Sequence, residues 1–209
     1  MTIVKKIVQT LKREAATRGL YHTILMNLSY LLAFTRGYFY KCIYFKNIHS
    51  SLFALQANSK IEIFNKNSRI IMGKFVFMRK NVSVRIDFDG QLFLGEKVFI
   101  NDNCNINCVN KISIGKHTKI APNVCINDHD HNYKNVSNQH LVKGEVIIGE
   151  NVWIGSNVVI LRNTHIGNNA VIGAGSVVKG NVPANTLFLN KKEEKLLPFF
   201  NSKEKRSIL

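Results

Sequence analysis

The residues of this chain best suited to chemistry lie in the polar segment Asn127–Lys134, where His129 and His131 alternate with Asp128 and Asp130. Histidine has an ordinary pKa near neutral pH, so it can take a proton from a hydroxyl group and return it to a leaving group. An adjacent carboxylate can orient the imidazole ring, although aspartate is also a common turn residue. The segment therefore predicts general acid–base catalysis, with two histidines and two carboxylates as candidates.

This segment interrupts a sequence repeat with a step of six residues. Toward the C-terminus, aliphatic residues follow this step without a break: Ile148, Ile154, Ile160, Ile166, Ile172 and Val178. Small residues precede most of them by two positions: Val152, Val158, Thr164, Ala170 and Ser176. A step of six is neither helical nor a simple alternation, and it is typical of a β-solenoid whose short strands bury their aliphatic residues between successive coils.

The repeat continues upstream in interrupted form. Its aliphatic positions there are Met72, Met78, Val84, Leu94, Ile100, Ile106, Ile114, Ile120 and Ile126. The step widens to eight residues after Ile106, so two residues should bulge out, and to twenty-two residues after Ile126. We therefore predict an extruded loop over residues 127–145. Function should be sought there first, because a solenoid excludes irregular polar residues from its stack.

The N-terminal part differs in composition from the repeat. The chain has 209 residues and a net charge of +16, and residues 1–50 hold eight Lys or Arg, one acidic residue and eight aromatic residues. Apolar residues at helical spacing predict a first helix before Gly19 and a second over about residues 21–35. The longest apolar run is shorter than the about 20 residues that span a bilayer, and no signal-peptide cleavage site follows it.

Two roles for these N-terminal helices remain open. They could pack on each other or on the first coil of the solenoid and cover its open end. They could instead contact a membrane surface, since basic and aromatic residues together suit that partner. Nucleic-acid binding is not expected, because no base-reading motif is present.

The cysteines and the further histidines argue against a metal site. Zinc is often held by histidine and cysteine, but His117 and His165 stand in no zinc motif, and the four cysteines contain no Cys-x-x-Cys pair. We predict no metal and buried free thiols, which favour a reducing compartment. The four cysteines are Cys42, Cys104, Cys108 and Cys125.

Together these patterns predict an all-β solenoid in three parts. Residues 1–58 form a basic, aromatic-rich helical segment. Residues 59–186 form the β-helix domain with its extruded loop 127–145, and residues 187–209 form a short charged tail.

Two groups of motifs extend the interpretation beyond the fold. The first group is Leu94–Asn103 and Ile114–Val124, followed by the loop to His131, and the second is Gly149–Ile160 and Val171–Val178. They resemble the acceptor and cofactor halves of hexapeptide-repeat acetyltransferases, in the branch of galactoside, maltose and capsular-polysaccharide O-acetyltransferases. This resemblance covers about residues 70–186. It implies a left-handed parallel β-helix, acetyl-CoA as donor, and a homotrimer with active sites between neighbouring subunits.

The resemblance assigns roles on the acceptor side. His131 aligns with the family's catalytic histidine, and His129 is the alternative base. Asp130 and His129 are then expected near the acceptor. Asn101 resembles the family's acceptor-binding asparagine, which contacts the sugar and the acetyl region, so it is a candidate for both catalysis and acceptor binding. Its amide offers both a donor and an acceptor to a hydroxyl. Asn103 is a further candidate for acceptor binding. Eight positions after this asparagine the family has an acidic residue where this chain has Val109, so a plain β-galactoside acceptor is less expected.

On the donor side, the resemblance implies backbone contacts. The N–H of Ser156 would stabilise the thioester oxyanion, and Gly155 would allow close backbone approach. The backbones of Gly173 and Ala174 would hold the pantetheine arm, and Trp153 would form an apolar wall beside both substrates.

The contacts to the nucleotide of coenzyme A are less well matched. Lys179 is the candidate for a phosphate contact, but the family's lysine stands one position later, where this chain has Gly180.

The resemblance and the residues together predict a cytoplasmic acetyl-CoA-dependent O-acetyltransferase that acts on a sugar hydroxyl in surface-polysaccharide assembly. The acceptor could be lipid-linked, which would place the enzyme at the inner face of the membrane. The alternatives are an N-acetyltransferase of a nucleotide-linked amino sugar, an antibiotic acetyltransferase, a zinc-dependent β-helix hydratase and a non-catalytic solenoid.

Overall fold

The computed structural model describes residues 3–133 and 140–190, in which two helices precede a stack of short strands. Helix α1 spans Ile3–Arg18 and helix α2 spans Leu20–Ile43. Gly19 separates them with a φ of 82°, a left-handed conformation that glycine adopts without steric cost. The strands are β1 (Ile48–Ser50), β2 (Ala54–Leu55), β3 (Lys60–Ile63), β4 (Arg69–Met72), β5 (Phe77–Met78), β6 (Ser83–Ile86), β7 (Gln91–Leu94), β8 (Phe99–Ile100), β9 (Asn105–Cys108), β10 (Lys111–Ile114), β11 (Lys119–Ile120), β12 (Cys125–Asn127), β13 (His129–His131), β14 (Leu141–Lys143), β15 (Glu145–Ile148), β16 (Trp153–Ile154), β17 (Val159–Ile166), β18 (Val171–Ile172), β19 (Val177–Val182) and β20 (Leu187–Phe188).

All strands except β13 and β14 stack into three parallel sheets, which form the three sides of a solenoid. The first sheet contains β1, β4, β7, β10 and β15, and the ends of β17 and β19. The second sheet contains β2, β5, β8, β11, β16, β18 and β20. The third contains β3, β6, β9 and β12, and the beginnings of β17 and β19. Each coil thus visits the three sheets in turn.

The strand register explains the six-residue step. In the second sheet Ile120 pairs with Ile154, and Ile154 pairs with Ile172, so these side chains stack directly above one another. All three are almost completely buried. Burial of such aliphatic side chains is the main favourable contribution to folding. The predicted β-helix with a helical N-terminal segment is confirmed.

The sheets meet at three corners, of which two are regular four-residue turns. The first corner, between the first and second sheets, contains residues 51–53, 73–76, 95–98, 115–118, 149–152, 167–170 and 183–186, and only the first of these turns is one residue shorter. The second corner, between the second and third sheets, contains residues 56–59, 79–82, 101–104, 121–124, 155–158 and 173–176. The third corner, which leads back to the first sheet, varies in length from coil to coil.

Asparagines stabilise the regular corners. At the second corner, Asn81, Asn103 and Asn123 have φ values of 58°, 60° and 62°, a region that asparagine tolerates better than most residues. The side-chain amide of Asn81 donates to Asn103 at 3.0 Å, and that of Asn103 donates to Asn123 at 3.1 Å. These bonds run along the stack and connect successive coils.

The solenoid extends beyond the boundaries expected from the sequence. Helix α2 ends at Ile43 rather than near residue 35. Strands β1 and β2 pair with β4 and β5, so the first coil begins at Ile48 rather than at residue 59. At the other end, β20 continues the second sheet to Phe188. Residues 191–209 of the predicted tail lie outside the described residues.

Helix α2 packs on the first coil at its C-terminal half. The guanidinium of Arg36 donates to the carbonyl of Leu55 at 3.1 Å, and the ammonium of Lys41 donates to the carbonyl of Ser50 at 2.6 Å. A side chain at Gly37 would overlap the carbonyl oxygen of Phe53, so only glycine allows this approach. No described helix is both long and apolar enough to cross a bilayer.

The stacking predicts that alanine substitutions at the two residues of β18 have very different effects on the free energy of unfolding. Ile172 is fully buried and Val171 is more than a third exposed. Ile172→Ala should lower the free energy of unfolding by about 2–5 kcal/mol because it leaves a cavity in the stack. Val171→Ala should change it by less than about 1 kcal/mol. Urea unfolding at one protein concentration measures both, and equal losses would contradict the in-register core.

Candidate active site

The segment between β12 and β15 leaves the solenoid at the third corner as a β-hairpin. Strand β13 pairs antiparallel with β14, with His129 opposite Lys143 and His131 opposite Leu141. Alternate residues of a strand face the same side, so His129 and His131 share one side of the hairpin. Residues 134–139, at its tip, lie outside the described residues.

A buried carboxylate anchors this hairpin. Asp128 is completely buried, and its oxygens accept hydrogen bonds from the backbone N–H groups of Val109, at 3.0 and 3.1 Å, and Asn110, at 2.8 Å. The amide of Asn110 donates to the carbonyl of Gly144 at 2.7 Å. Val109 and Asn110 form the two-residue bulge that the eight-residue step predicts, and this bulge binds both ends of the hairpin.

Asp128 also orients one of the two candidate histidines. Nδ1 of His129 lies 2.9 Å from Oδ1 of Asp128. Because an ionised carboxylate only accepts hydrogen bonds, Nδ1 carries a proton in this contact, and in the neutral ring Nε2 has the lone pair. Asp130, the other candidate, pairs instead with Arg162, whose Nε lies 2.6 Å from its carboxylate.

His131 has a different environment. Its side chain is exposed, and its ring lies edge-on to that of His140 with 6.1 Å between the ring centroids. The two histidines of the hairpin therefore differ physically. His129 is half-buried and fixed by a carboxylate, whereas His131 stands in the open on the same strand.

Both histidines line a cleft of about 700 Å³ beside the third corner. Phe64 and Phe88 are among the exposed aromatic side chains that line it. The Arg85 guanidinium lies 5.7 Å from the centroid of the Phe64 ring. The amide of Asn107 donates to the amide oxygen of Asn127 at 2.8 Å. Aromatic surfaces, amides and imidazoles together can bind a polyhydroxylated ligand through apolar contact and hydrogen bonds.

The cleft contains residues that the sequence analysis missed. Phe64 and Phe88 lie at the third corner, and Arg85 and Asn107 face outward on the third sheet. Aligning the sequences of successive coils would predict that these residues are neighbours, since Arg85 pairs with Asn107 in the parallel register of β6 and β9. The six-residue step of the aliphatic residues does not predict it.

The predicted donor-side residues form a column at the second corner. The backbone bonds Asn101 N–H to Ile120 O, Ala121 N–H to Ile154 O and Gly155 N–H to Ile172 O stack this corner through successive coils. Ser156 follows Gly155, and the N–H of Gly175 donates to the carbonyl of Ser156 at 2.8 Å. The column thus brings together Asn101, Gly155, Ser156, Gly173 and Ala174.

Local geometry explains the small residues of this column. A Cβ at Gly155 would lie 2.6 Å from the backbone nitrogen of Ala174, so no larger residue fits there. Trp153 stands at the outer side of β16, about half exposed, immediately before the column. The amide of Asn103 belongs to the asparagine bonds between coils, which gives that residue a structural role.

The predicted site residues therefore lie at two different corners of one chain. His129, Asp130 and His131 stand at the third corner, whereas Asn101, Ser156 and Ala174 stand at the second, with the third sheet between them. Lys179 lies at the third corner, where β19 turns from the third sheet to the first. A single chain does not bring His131 and Ser156 together.

The two further histidines considered as metal ligands, His117 and His165, are not part of a metal-binding group among the described residues. Among residues 3–133 and 140–190, no three His, Cys, Asp or Glu side chains are arranged to hold a metal ion. His117 occupies a left-handed turn position with a φ of 61°. Nε2 of His165 lies 3.4 Å from a carboxylate oxygen of Glu145 on the first sheet.

The cysteines are free, and only some of them are buried. Cys104 and Cys108 are buried, Cys125 is half-buried and Cys42 is exposed on α2, so the prediction of a buried thiol is wrong for Cys42. Burial raises the pKa of the Cys104 thiol to about 11. Burial, reinforced by the Asp128 carboxylate, raises the pKa of the Cys108 thiol further.

Comparison with known proteins identifies the family. Residues 145–180 match the family described as bacterial transferase hexapeptide (six repeats). The chain is 32% identical over 149 residues to the putative lipopolysaccharide biosynthesis O-acetyl transferase WbbJ of Escherichia coli K12, which covers 60% of this chain and 76% of WbbJ. It is 32% identical over 120 residues to the putative colanic acid biosynthesis acetyltransferase WcaF of the same strain, covering 56% of this chain and 62% of WcaF.

A solved structure agrees in fold. A mutant of AntD, an N-acyltransferase from Bacillus cereus in complex with dTDP and coenzyme A, matches with a TM-score of 0.51 and 18% identity, over 72% of this chain and 82% of AntD. At that identity the likeness shows the fold alone. The match to WbbJ is closer and covers most of that relative, so the chain belongs to the hexapeptide-repeat acetyltransferase family, as its motifs predicted. It is therefore an acyltransferase.

The thiol environments predict selective labelling. At pH 8 a thiol with a pKa of about 11 is ionised in only about one molecule in a thousand, and the thiolate is the reactive form. We expect a chromogenic disulfide reagent to modify Cys42 rapidly, and Cys104 and Cys108 only after unfolding. Cys42→Ser should remove the rapid phase. Rapid reaction of Cys108 in the native protein would contradict its place beneath the hairpin.

Proposed function

We propose that this protein is an acetyl-CoA-dependent O-acetyltransferase that acts on a hydroxyl group of a sugar during assembly of a surface polysaccharide. Two relatives named for lipopolysaccharide and colanic acid biosynthesis support the substrate class. The observation that carries the proposal is the anchored hairpin, which presents two histidines to a cleft with aromatic and amide walls. Acetyl-CoA as donor follows from the family.

In the proposed reaction, His131 takes the proton of the acceptor hydroxyl as its oxygen attacks the thioester carbonyl carbon. The backbone N–H of Ser156 stabilises the oxyanion that forms. Collapse of this intermediate breaks the carbon–sulfur bond, and the leaving thiolate receives the proton from His131. No covalent acetyl-enzyme is required, so both substrates must be bound together.

The proposed site requires more than one chain. His131 lies at the third corner and Ser156 at the second corner of the same solenoid. A neighbouring copy that packs its second corner against the third corner would complete the site, and three copies related by a three-fold axis would form three equivalent sites. The backbones of Gly173 and Ala174 would then hold the pantetheine arm, and Lys179 would approach the groove from the side of His131.

The role of the base predicts the behaviour of the His131→Ala variant. Its kcat should fall by roughly 10²–10⁴, the usual contribution of general-base catalysis, while the Kd for acetyl-CoA should stay unchanged by calorimetry. His129→Ala should lower kcat by less than tenfold. The control is His165→Ala, because His165 is an exposed histidine on the first sheet.

A panel of neutral sugars, amino sugars and nucleotide-linked sugars provides the acceptors for these assays, and mass spectrometry of the products distinguishes O- from N-acetylation. If His129→Ala abolished turnover while His131→Ala did not, the assigned base would be wrong.

We further propose that helices α1 and α2 hold the enzyme at the cytoplasmic face of an anionic membrane, where a lipid-linked acceptor would be presented. Apolar side chains of both helices line a common groove: Leu11, Leu20, Ile24, Leu28 and Leu31. All five are exposed in the chain. Such an apolar surface between basic residues suits the interface of a bilayer.

The charge of α1 favours a membrane over a second copy of the chain. This helix carries five basic residues and a single acidic residue, Glu14. Two copies meeting through these faces would bring like charges together, whereas an anionic leaflet attracts each nearby Lys or Arg by about 1 kcal/mol.

Vesicle binding tests this proposal with point variants, because deletion of residues 1–50 would also remove β1 from the first coil. The protein should co-sediment with vesicles that contain phosphatidylglycerol and should be released as salt rises. Ile24→Asn with Leu31→Asn, or Lys12→Gln with Arg13→Gln, should weaken binding at least tenfold. Leu187→Asn and Lys66→Gln, exposed positions away from the helices, should not. Equal binding by all variants would exclude this surface as the anchor.

A further inference from the structure

The Asp128–His129 pair has a consequence beyond anchoring the hairpin, because it fixes the direction of hydrogen bonding at the cleft. The carboxylate is completely buried, and it is hydrogen-bonded to the N–H groups of Val109 and Asn110, to Nδ1 of His129 and to the thiol of Cys108. Backbone N–H groups can only donate. The buried thiol keeps its proton and also donates, so the carboxylate is the acceptor for all of these groups and Nδ1 of His129 stays protonated.

The other side of the same ring meets the cleft. His129 is 19% exposed and lines the cleft, while its Nδ1 is turned toward Asp128. The nitrogen that remains for a ligand is then Nε2, which carries a lone pair in the neutral ring. An imidazole fixed in this tautomer accepts a hydrogen bond from a ligand and donates none at this atom, so it favours a hydroxyl over a carboxylate or phosphate oxygen.

We propose that His129 is a positioning residue for the acceptor, whose Nε2 accepts a hydrogen bond from one sugar hydroxyl while a second hydroxyl of the same acceptor is deprotonated by His131. The inference rests on the proposed function and specifies its acceptor as a polyol. The two histidines are two residues apart on β13 and on one side of it, which separates their backbones by about 6.6 Å at the usual rise of a strand. Two hydroxyls of one sugar residue can engage both rings.

The Asp128→Asn substitution tests the direction of the hydrogen bond between residue 128 and Nδ1 of His129, because asparagine has nearly the same shape as aspartate. The amide oxygen of the new side chain would accept from Val109 and Asn110, and its NH₂ group would face Nδ1 of His129. The ring would then have to carry its proton on Nε2. Substituting the carboxylate should therefore exchange one neutral tautomer of His129 for the other.

Nitrogen-15 NMR of histidine-labelled protein measures this tautomer directly. The His129 signals are assigned by their loss in His129→Ala. At pH 8 we expect the Nδ1–H form in the unsubstituted protein and the Nε2–H form in Asp128→Asn. An Nε2–H form in the unsubstituted protein would overturn the proposal and leave the proposed function intact.

Kinetics with methyl hexosides and their single-deoxy analogues test the contact with substrate. His129→Ala should raise the KM for the acceptor about two- to tenfold, the usual worth of one hydrogen bond, with kcat within tenfold and the Kd for acetyl-CoA unchanged. With the unsubstituted enzyme, kcat/KM for one deoxy analogue should be lower than for the parent hexoside by about the same factor. With His129→Ala, the same deoxy analogue should show no further loss, because the hydroxyl and the His129 ring form one and the same hydrogen bond. His131→Ala should instead lower kcat.

These measurements distinguish a failure of the positioning role of His129 from a failure of the proposed acetyl transfer to a sugar. If every deoxy penalty is the same in the unsubstituted enzyme and in His129→Ala, the positioning role is wrong while acetyl transfer stands. If no sugar is acetylated by the unsubstituted enzyme, the proposed function fails and the positioning role fails with it. A merely structural role for His129 would lower stability in urea without moving the KM for the acceptor.

Discussion

The structure depends on one constraint, the in-register stacking of buried aliphatic side chains from coil to coil. Ile120, Ile154 and Ile172 lie one above another because each coil pairs in parallel with the next, residue for residue. This register also stacks the corners, so residues far apart in sequence become neighbours in a column. Asn101 and Ala174 belong to one such column although 73 positions separate them. The groups of the site are thus placed by the core rather than by local loop conformation.

The third corner is where the chain departs from this regularity, and the departure carries the candidate site. In the two-residue bulge at Val109 and Asn110, two backbone N–H groups donate to the carboxylate of Asp128. These hydrogen bonds hold the base of the hairpin against the solenoid. The same carboxylate orients the ring of His129 at the start of the hairpin. A buried carboxylate is stable only with such donors, so bulge and hairpin depend on each other.

Much of the fold follows from the sequence because the six-residue step reports directly on burial. The step predicts the coils, the bulge after Ile106 and the extruded loop. It does not predict that the solenoid begins at Ile48, because the first coil lacks the regular step, nor that Cys42 is exposed. The pairing of Asp128 with the bulge and of Asp130 with Arg162 joins residues 18 to 32 positions apart. Side-chain partners of that kind depend on three-dimensional proximity, so the two carboxylates were equivalent in the sequence and are distinct in the structure.

The proposed active site forms between the third corner of one chain and the second corner of another. Mixed oligomers of a His131→Ala chain and an Ala174→Trp chain, co-expressed with different affinity tags and purified through both, test it most directly. Each variant alone should be inactive, because every site contains one damaged half. If the sites form between subunits of a trimer, each mixed trimer has one of its three sites with both halves intact, so the doubly purified mixed trimers should regain about a third of full activity. Complete inactivity of the mixed oligomers, with both chains folded and assembled, would place both halves of the site in one chain and contradict the account.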